Sequence, residues 1–251
     1  PDSFSDGGRF AGFDAALAQA QKMLAEGADI IDVGGESTRP GAAEVSVDEE
    51  LSRVVPLIEK LARELGALVS VDTSKPEVMQ AAVKAGATMI NDVYALRRPG
   101  ALKAAAASGA ALCLMHMQGE PRTMQHDPKY EDVTEEVVEF LQERAEKAQV
   151  AGVAREHLVL DPGFGFGKNL EHNLTLLRRL PEIAALGYPL LVGLSRKSMI
   201  GTLLGGKPVE QRVQGSVAAA VIAVQNGASI VRVHDVAPTV EALKIAAALK
   251  R

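Results

Sequence analysis

Leu158-Val159-Leu160-Asp161-Pro162-Gly163-Phe164-Gly165-Phe166-Gly167-Lys168 runs apolar up to one carboxylate and then breaks at once into a glycine-rich loop. A buried parallel strand covered by helices delivers a charged side chain to its carboxyl end in this way, and opens a loop over it. An acid placed there costs several kcal/mol, on the order of a buried unpaired polar group, unless it grips something. The same grammar recurs on either side of this stretch. Apolar runs at Ala28 to Val33, Leu68 to Val71, Thr88 to Ile90, Ala110 to Leu114, Leu158 to Leu160, Pro189 to Val192 and Ser229 to Val233 each read as a strand. Helical periodicity covers 14–26, 46–65, 76–84, 100–108, 131–149, 171–180, 210–225 and 239–249. Asp48, Glu49 and Glu50 open the second of these helices as complements to its amino-terminal dipole.

Strands alternating with helices, with no hairpin signal, leave an open doubly wound sheet and a closed barrel as the two architectures. The polar strand ends decide between them. Asp32, Asp72, Asn91, His116, Asp161, Ser195 to Lys197 and Arg232 to Asp235 all follow strands. A barrel gathers such ends into one mouth, whereas an open sheet spreads them along an edge. The fold class expected is therefore α/β, a single-domain (β/α)8 TIM barrel over residues 1–251. Pro1 to Gly8 reads as a strand-to-helix loop, so the first β-strand of that barrel is expected to precede Pro1.

Composition narrows the function classes. The chain has 251 residues, 47% hydrophobic and 24% charged, with a formal net charge of -5, and lacks the basic run that a nucleic-acid backbone would require. Cys113 is the one cysteine, which excludes an intramolecular disulfide. No apolar run reaches the length of a membrane span, and no secretory signal is visible. A cytoplasmic location is the expectation.

Asp32, with Asn91 and Asp161 as helpers, suits magnesium, which keeps waters and borrows substrate phosphates; hydrogen bonds that tie loops are the competing reading. The histidines are scattered, so zinc is not supported. Gly163 to Lys168 fails the phosphate-loop pattern, because its glycines are too close and Asn169 follows the lysine. Its glycines fit mobility and close approach to a flat ligand, with Phe164 or Phe166 as a wall. Arg232 and His234, two apart on a strand, would project to one side and converge on a phosphate. Lys197 offers a point charge for a pterin-like carbonyl or an anion. Glu36 to Gly41 adds hydroxyls and a guanidinium beside Asp32. His116 is equally a pocket wall or a satisfied core histidine, and 131–149 is expected to be a solvated helix face.

Pro1-Asp-Ser-Phe-Ser-Asp-Gly-Gly8, Asp32-Val-Gly-Gly-Glu-Ser-Thr-Arg-Pro-Gly41, Ser70-Val-Asp-Thr73, Asn91-Asp92, Asp161 to Lys168, Ser195-Arg-Lys197 and Arg232-Val-His-Asp235 together resemble the bacterial dihydropteroate synthases, over essentially the whole chain. The resemblance implies a homodimeric transferase barrel that condenses 6-hydroxymethyl-7,8-dihydropterin diphosphate with 4-aminobenzoate in folate synthesis. It implies a pterin pocket of Asp72, Asn91, Asp161 and Lys197, shaped by Met115, Gly165 and Gly193. It implies diphosphate contacts from Thr38, Arg39, Arg232 and His234, and magnesium near Asp32. Aminobenzoate, and sulfonamides that compete with it, would lie near Arg39, Pro40, Phe166, Lys197 and Ser198. The catalytic set so implied is Arg232, His234, Lys197 and Asp72. An asparagine on the family's first strand, a further metal ligand, would fall before Pro1. A corrinoid-linked pterin methyltransferase, a non-catalytic pterin-binding paralogue and a phosphosugar isomerase are the rival readings.

Overall fold

A computed structural model describes residues 9–37, 43–119, 124 and 127–249, with side chains described from residue 12 onward. Within them the chain alternates helix and strand: α1 (Arg9–Ala25), β1 (Ile30–Gly34), α2 (Val47–Glu59) with a π turn at Lys60–Glu64, β2 (Leu68–Asp72), α3 (Pro76–Ala85), β3 (Met89–Asp92), α4 (Ala101–Ser108) and β4 (Ala111–Met115). It continues as α5 (Val133–Val150), β5 (Leu158–Asp161), α6 (Leu170–Arg178), α7 (Leu180–Ala184), β6 (Leu191–Val192), α8 (Ser198–Leu203), α9 (Val213–Gln225), β7 (Ile230–Val231) and α10 (Val236–Leu249). The strands are parallel and pair in chain order, β1 through β5 in one sheet and β6 with β7 in another. A parallel bridge from Leu160 to Leu190 joins the two sheets. This is the strand order of the (β/α)8 TIM-barrel class. Between the β1 and β7 edges lies a cavity of about 280 Å³, and the strand expected ahead of Pro1 concerns chain outside this sequence.

Side-chain parity explains both the core and the site. Ile31, Val33, Val69, Val71, Ile90, Leu112, Leu114, Leu158 and Leu160 point out of the strands into the main core with the helices. The alternate positions Met89, Cys113, Val159 and Leu191 form a smaller inner cluster, with Ala111 and Ile230 against it. A strand's period of two then places Asp32, Asp72, Asn91, Met115, Asp161, Gly193 and Arg232 on the inward parity, at or just past the strands' carboxyl ends. Apolar alternation thus carries the polar groups to one mouth.

Several expectations need correction. β7 ends at Val231 rather than Val233, so strand alternation carries as far as Arg232 but does not govern His234. A helix at Ser198–Leu203 was not expected, and the helix predicted from residue 210 begins at Val213 behind a 3₁₀ turn at Val209–Gln211. α5 buries Val133, Val137, Leu141, Ala145 and Ala148, so it is amphipathic rather than a solvated face. Its start is set by Asp132, whose side chain accepts the Thr134 and Glu135 N–H groups. Asp48, Glu49 and Glu50 lie in the first turn of α2 as expected, and Glu50 is in addition fully buried and paired with a lysine.

Candidate active site

The mouth is a network of acids around two cations. Arg232 Nε lies 2.5 Å from Asp32 Oδ2, and its Nη2 lies 3.1 Å from Asp72 Oδ2. Asn91 Nδ2 reaches the same Asp32 oxygen at 3.4 Å. Asp32 Oδ1 and Ser70 Oγ are buried without a hydrogen-bond partner among the described residues, and both residues line the cavity between β1 and β7. Burial, with Asp32 nearby and Arg232 opposing, pushes the Asp72 carboxyl up to about 7. Asp161 is raised too, by burial, against the pull of Lys197. Its Oδ1 accepts the Gly163 N–H at 2.7 Å, which folds the loop back over the strand end.

Lys197 is the second cation. Its Nζ donates to the Phe164 carbonyl and sits 4.8 Å from the centroid of Phe166. Burial brings it down to about 8, against Asp161 and with Arg232 assisting. Gly165 and Gly193 leave room for it: a Cβ would stand 3.2 Å from Lys197 Cδ at the first and 3.9 Å from Nζ at the second. Met115 packs below with Met117, Met124 and Val93, and Phe166 leans on that cluster. Ser198 is exposed and opens α8.

The predicted set therefore divides. Asp32, Asp72, Asn91 and Arg232 form one bonded network, and Asp161, Gly165, Phe166, Gly193 and Lys197 form the adjoining pocket. Thr38, Arg39 and Pro40 lie outside the described residues. His234 Nδ1 lies 3.0 Å from Ser195 Oγ. Phe164 is fully buried in the core, so the wall is Phe166.

The glycine-rich loop differs from expectation in physical role. Its close approaches are to the protein's own backbone: a Cβ on Gly163 would stand 1.9 Å from the His116 carbonyl oxygen, and one on Gly167 2.5 Å from that of Gln118. Both also hold positive φ, at 68° and 62°, so these glycines give tight packing rather than mobility. Beneath them Lys168 Nζ meets His116 Nδ1 at 2.8 Å and the Gly163 and Phe166 carbonyls at 3.0 Å each. Those acceptors match an ammonium's three protons, while burial pushes Lys168 well below its ordinary value against the pull of Asp161. His116, brought down to about 2 by burial and by Lys168, is the satisfied core histidine of the two readings.

Other supporting groups went unread in the sequence. Lys75 Nζ bridges Glu36 Oε2 at 2.6 Å and Glu50 Oε2 at 2.5 Å, fastening the β1 and β2 loops to α2. A lysine just before a helix-opening proline reads as solvent-facing, and only the tertiary fold reveals its partners. Asn173 Oδ1 accepts the Gly165 N–H at 2.7 Å. Among the described residues no three His, Cys, Asp or Glu side chains cluster as a metal cage. No helix among them is long and apolar enough to cross a membrane.

The family model described as "Pterin binding enzyme" matches residues 1–234. The chain belongs to that family. It is 58% identical over 245 residues to the dihydropteroate synthase of Escherichia coli K12, covering 98% of this chain and 86% of that one. The Yersinia pestis dihydropteroate synthase, solved with a sulfonamide drug, superposes with a TM-score of 0.94 at 57% identity, covering 99% of this chain and 90% of that one. That of Xanthomonas albilineans, solved with 4-aminobenzoic acid, gives 0.94 at 54% identity, covering 100% and 89%.

Proposed function

We propose that this chain joins 6-hydroxymethyl-7,8-dihydropterin diphosphate to 4-aminobenzoate, giving 7,8-dihydropteroate and diphosphate, the activity for which its relatives are named. The observation that carries the reading is a buried acid and lysine pocket with a guanidinium at its mouth: Asp72, Asn91, Asp161 and Lys197 inside, Arg232 above. A flat heterocycle rich in ring nitrogens takes the pocket, and its diphosphate takes the mouth. Sulfonamides, as aminobenzoate mimics, would compete beside Phe166, Lys197 and Ser198.

Asp161 is a buried acid and Asp72 a partly buried one, and the pKa values of both are raised in the free site. A positive charge spreading from the methylene carbon into the pterin ring stabilises their ionised forms, so they bind the transition state better than the ground state. Arg232, half-exposed and held by Asp32 and Asp72, can turn to the diphosphate. That movement frees Asp72 for the pterin. The CH2–O bond breaks toward diphosphate, the arylamine lone pair forms the new C–N bond, and the amine proton leaves to solvent or to the departing anion. Thr38, Arg39 and His234 complete the anion site in this reading. Lys197 with Phe166 holds the aminobenzoate side.

Asp32 fits magnesium, since its buried Oδ1 has no partner among the described residues and magnesium often takes one carboxylate with waters and phosphate oxygens. Bound there, it would neutralise charge on the leaving diphosphate. A cytoplasmic homodimer belongs to the same reading; exposed Ile222 on α9 and Ile245 and Leu249 on α10 support a self-association face.

The test follows 7,8-dihydropteroate and diphosphate together, with both substrates and magnesium present. Equal formation of both, falling at least about 100-fold in Asp72→Asn, is expected. Tight binding of the pterin diphosphate without product would leave a non-catalytic binding protein.

A further inference from the structure

The loops after β6 and β7 meet in two consecutive rungs. Ser195 Oγ accepts the His234 backbone N–H at 3.2 Å and lies 3.0 Å from His234 Nδ1. One residue along, Arg196 closes on Asp235 through Nε to Oδ2 at 2.9 Å and Nη2 to Oδ1 at 2.5 Å. Arg196 holds a φ of 58°, a left-handed arrangement that is strained for an arginine and persists only where its surroundings fix it. They do: its N–H donates to Ser216 Oγ at 2.9 Å, and its carbonyl accepts from Arg212 at 3.0 Å.

We propose that Ser195 is a positioning residue that fixes the tautomer of His234, so that the ring presents Nε2–H to the anion leaving the reaction. The proposal rests on the placement of His234 in the diphosphate site given above. A serine hydroxyl has one proton to donate and two lone pairs. Ser195 is buried, and its hydrogen-bond partners among the described residues are both atoms of His234. The backbone N–H can only donate, so it takes a lone pair. The hydroxyl proton then has a single acceptor, Nδ1, and leaving it unpaired in a buried place carries a penalty. An imidazole that accepts at Nδ1 carries its own proton on Nε2.

A protonated ring, or the opposite tautomer, would point Nδ1–H at the serine and strand the hydroxyl proton. The serine therefore keeps His234 a neutral, directed donor. A neutral donor leaves the full charge to Arg232 and strengthens as charge develops on the phosphate oxygen it faces. The Arg196–Asp235 rung keeps the two loops in step, so the hydroxyl stays within reach.

The test uses the intact enzyme with ¹⁵N-labelled histidine. His234→Gln identifies the resonance among the five histidines of the chain. In the wild type, Nδ1 should give an acceptor-type shift and Nε2 a protonated one; a protonated Nδ1 overturns the proposal whatever the variants do. Ser195→Ala should mix the tautomers and lower kcat/KM for the pterin diphosphate about 10-fold, while affinity for a pterin lacking the diphosphate is unchanged. Ser195→Thr, which retains the hydroxyl, should restore both the spectrum and most of the rate. In Ser195→Ala/His234→Gln the losses should not add. If His234→Gln is harmless, the placement of His234 in the anion site fails and the proposal with it. If His234→Gln impairs turnover and Ser195→Ala leaves spectrum and rate unchanged, the site reading stands and only the role of Ser195 falls.

Discussion

Two places in this molecule put one cation between two carboxylates. Lys75 lies between Glu36 and Glu50 with side-chain exposures of 7%, 19% and 0%. Arg232 lies between Asp32 and Asp72 with exposures of 48%, 18% and 14%. The charge pattern is the same and solvent access is not. Around Lys75 burial works against the charge, yet the hydrogen bonds it donates to Glu36 and Glu50 hold it above its ordinary value. The ammonium itself is nearly closed to solvent, so the trio fastens two loops to α2. The guanidinium of Arg232 can exchange carboxylates for a phosphate at little cost, because water already reaches it. Exposure, more than the residue types, separates a fastener from a binding site.

Breaking the sealed trio should have the larger effect. Lys75→Met leaves Glu36 and Glu50 facing one another without their cation, and breaking a buried pair costs about 3–5 kcal/mol. A melting scan should show a Tm lower by roughly 10 °C for a chain of this size. Arg232→Ala should do the reverse. Its stability should stay within about 1 kcal/mol of the parent, as for a half-exposed ion pair. Its kcat/KM for the pterin diphosphate should fall about 10²- to 10³-fold, the cost of losing one preorganised donor to developing charge. If Lys75→Met melts like the parent, or Arg232→Ala melts far below it, the distinction drawn from exposure is wrong.

This contrast also marks how far the sequence could be read. The mouth was legible because a buried parallel strand has a strict parity, so an acid after Leu160 or an arginine after Val231 can only lie at the inner end of its strand. The motifs carried the rest of that set. Lys75, Lys168 and Ser195 were not legible, because each draws its meaning from a partner 25 to 52 residues away. Local pattern also overextended β7 by two residues. Val233 is as good a strand former as Val231, and its fate depends on the loop that Ser195 holds. The glycines of 163–167 were read as freedom, when the backbone they accommodate belongs to the His116–Gln118 segment.

Lys197 sharpens the comparison, since it is the cation of the mouth that can lose its charge near neutral pH. Its folded pKa of about 8 lies below the ordinary 10.5, so between those values the unfolded chain binds more protons. Stability from this residue therefore rises as pH climbs from about 8 toward 10.5, the buried charge being a cost below that window. Activity should move the other way. If the ammonium holds substrate, kcat/KM declines above pH 8 in the parent and stays flat in Lys197→Arg, whose guanidinium keeps its proton. The same decline in the arginine variant would assign it to another group.

The smallest effect tests the wall against which Lys197 rests. Its Nζ faces the Phe166 ring at 4.8 Å, and such a contact favours the charged amine by about 0.5–2 kcal/mol. Phe166→Leu removes the ring's negative face but keeps an apolar side chain. The alkaline limb of the rate profile should then shift down by roughly half a pH unit or more, since a full unit corresponds to about 1.4 kcal/mol. KM for 4-aminobenzoate should rise a few-fold with the lost stacking area. Phe164 supplies the control, being fully buried one turn of the loop away. Phe164→Leu should destabilise the fold by about 1 kcal/mol or more through the void it leaves, lowering Tm, and leave the alkaline limb where it was. A shift of that limb in Phe164→Leu and none in Phe166→Leu would mean that packing of the loop, rather than the ring face, sets the charge on Lys197.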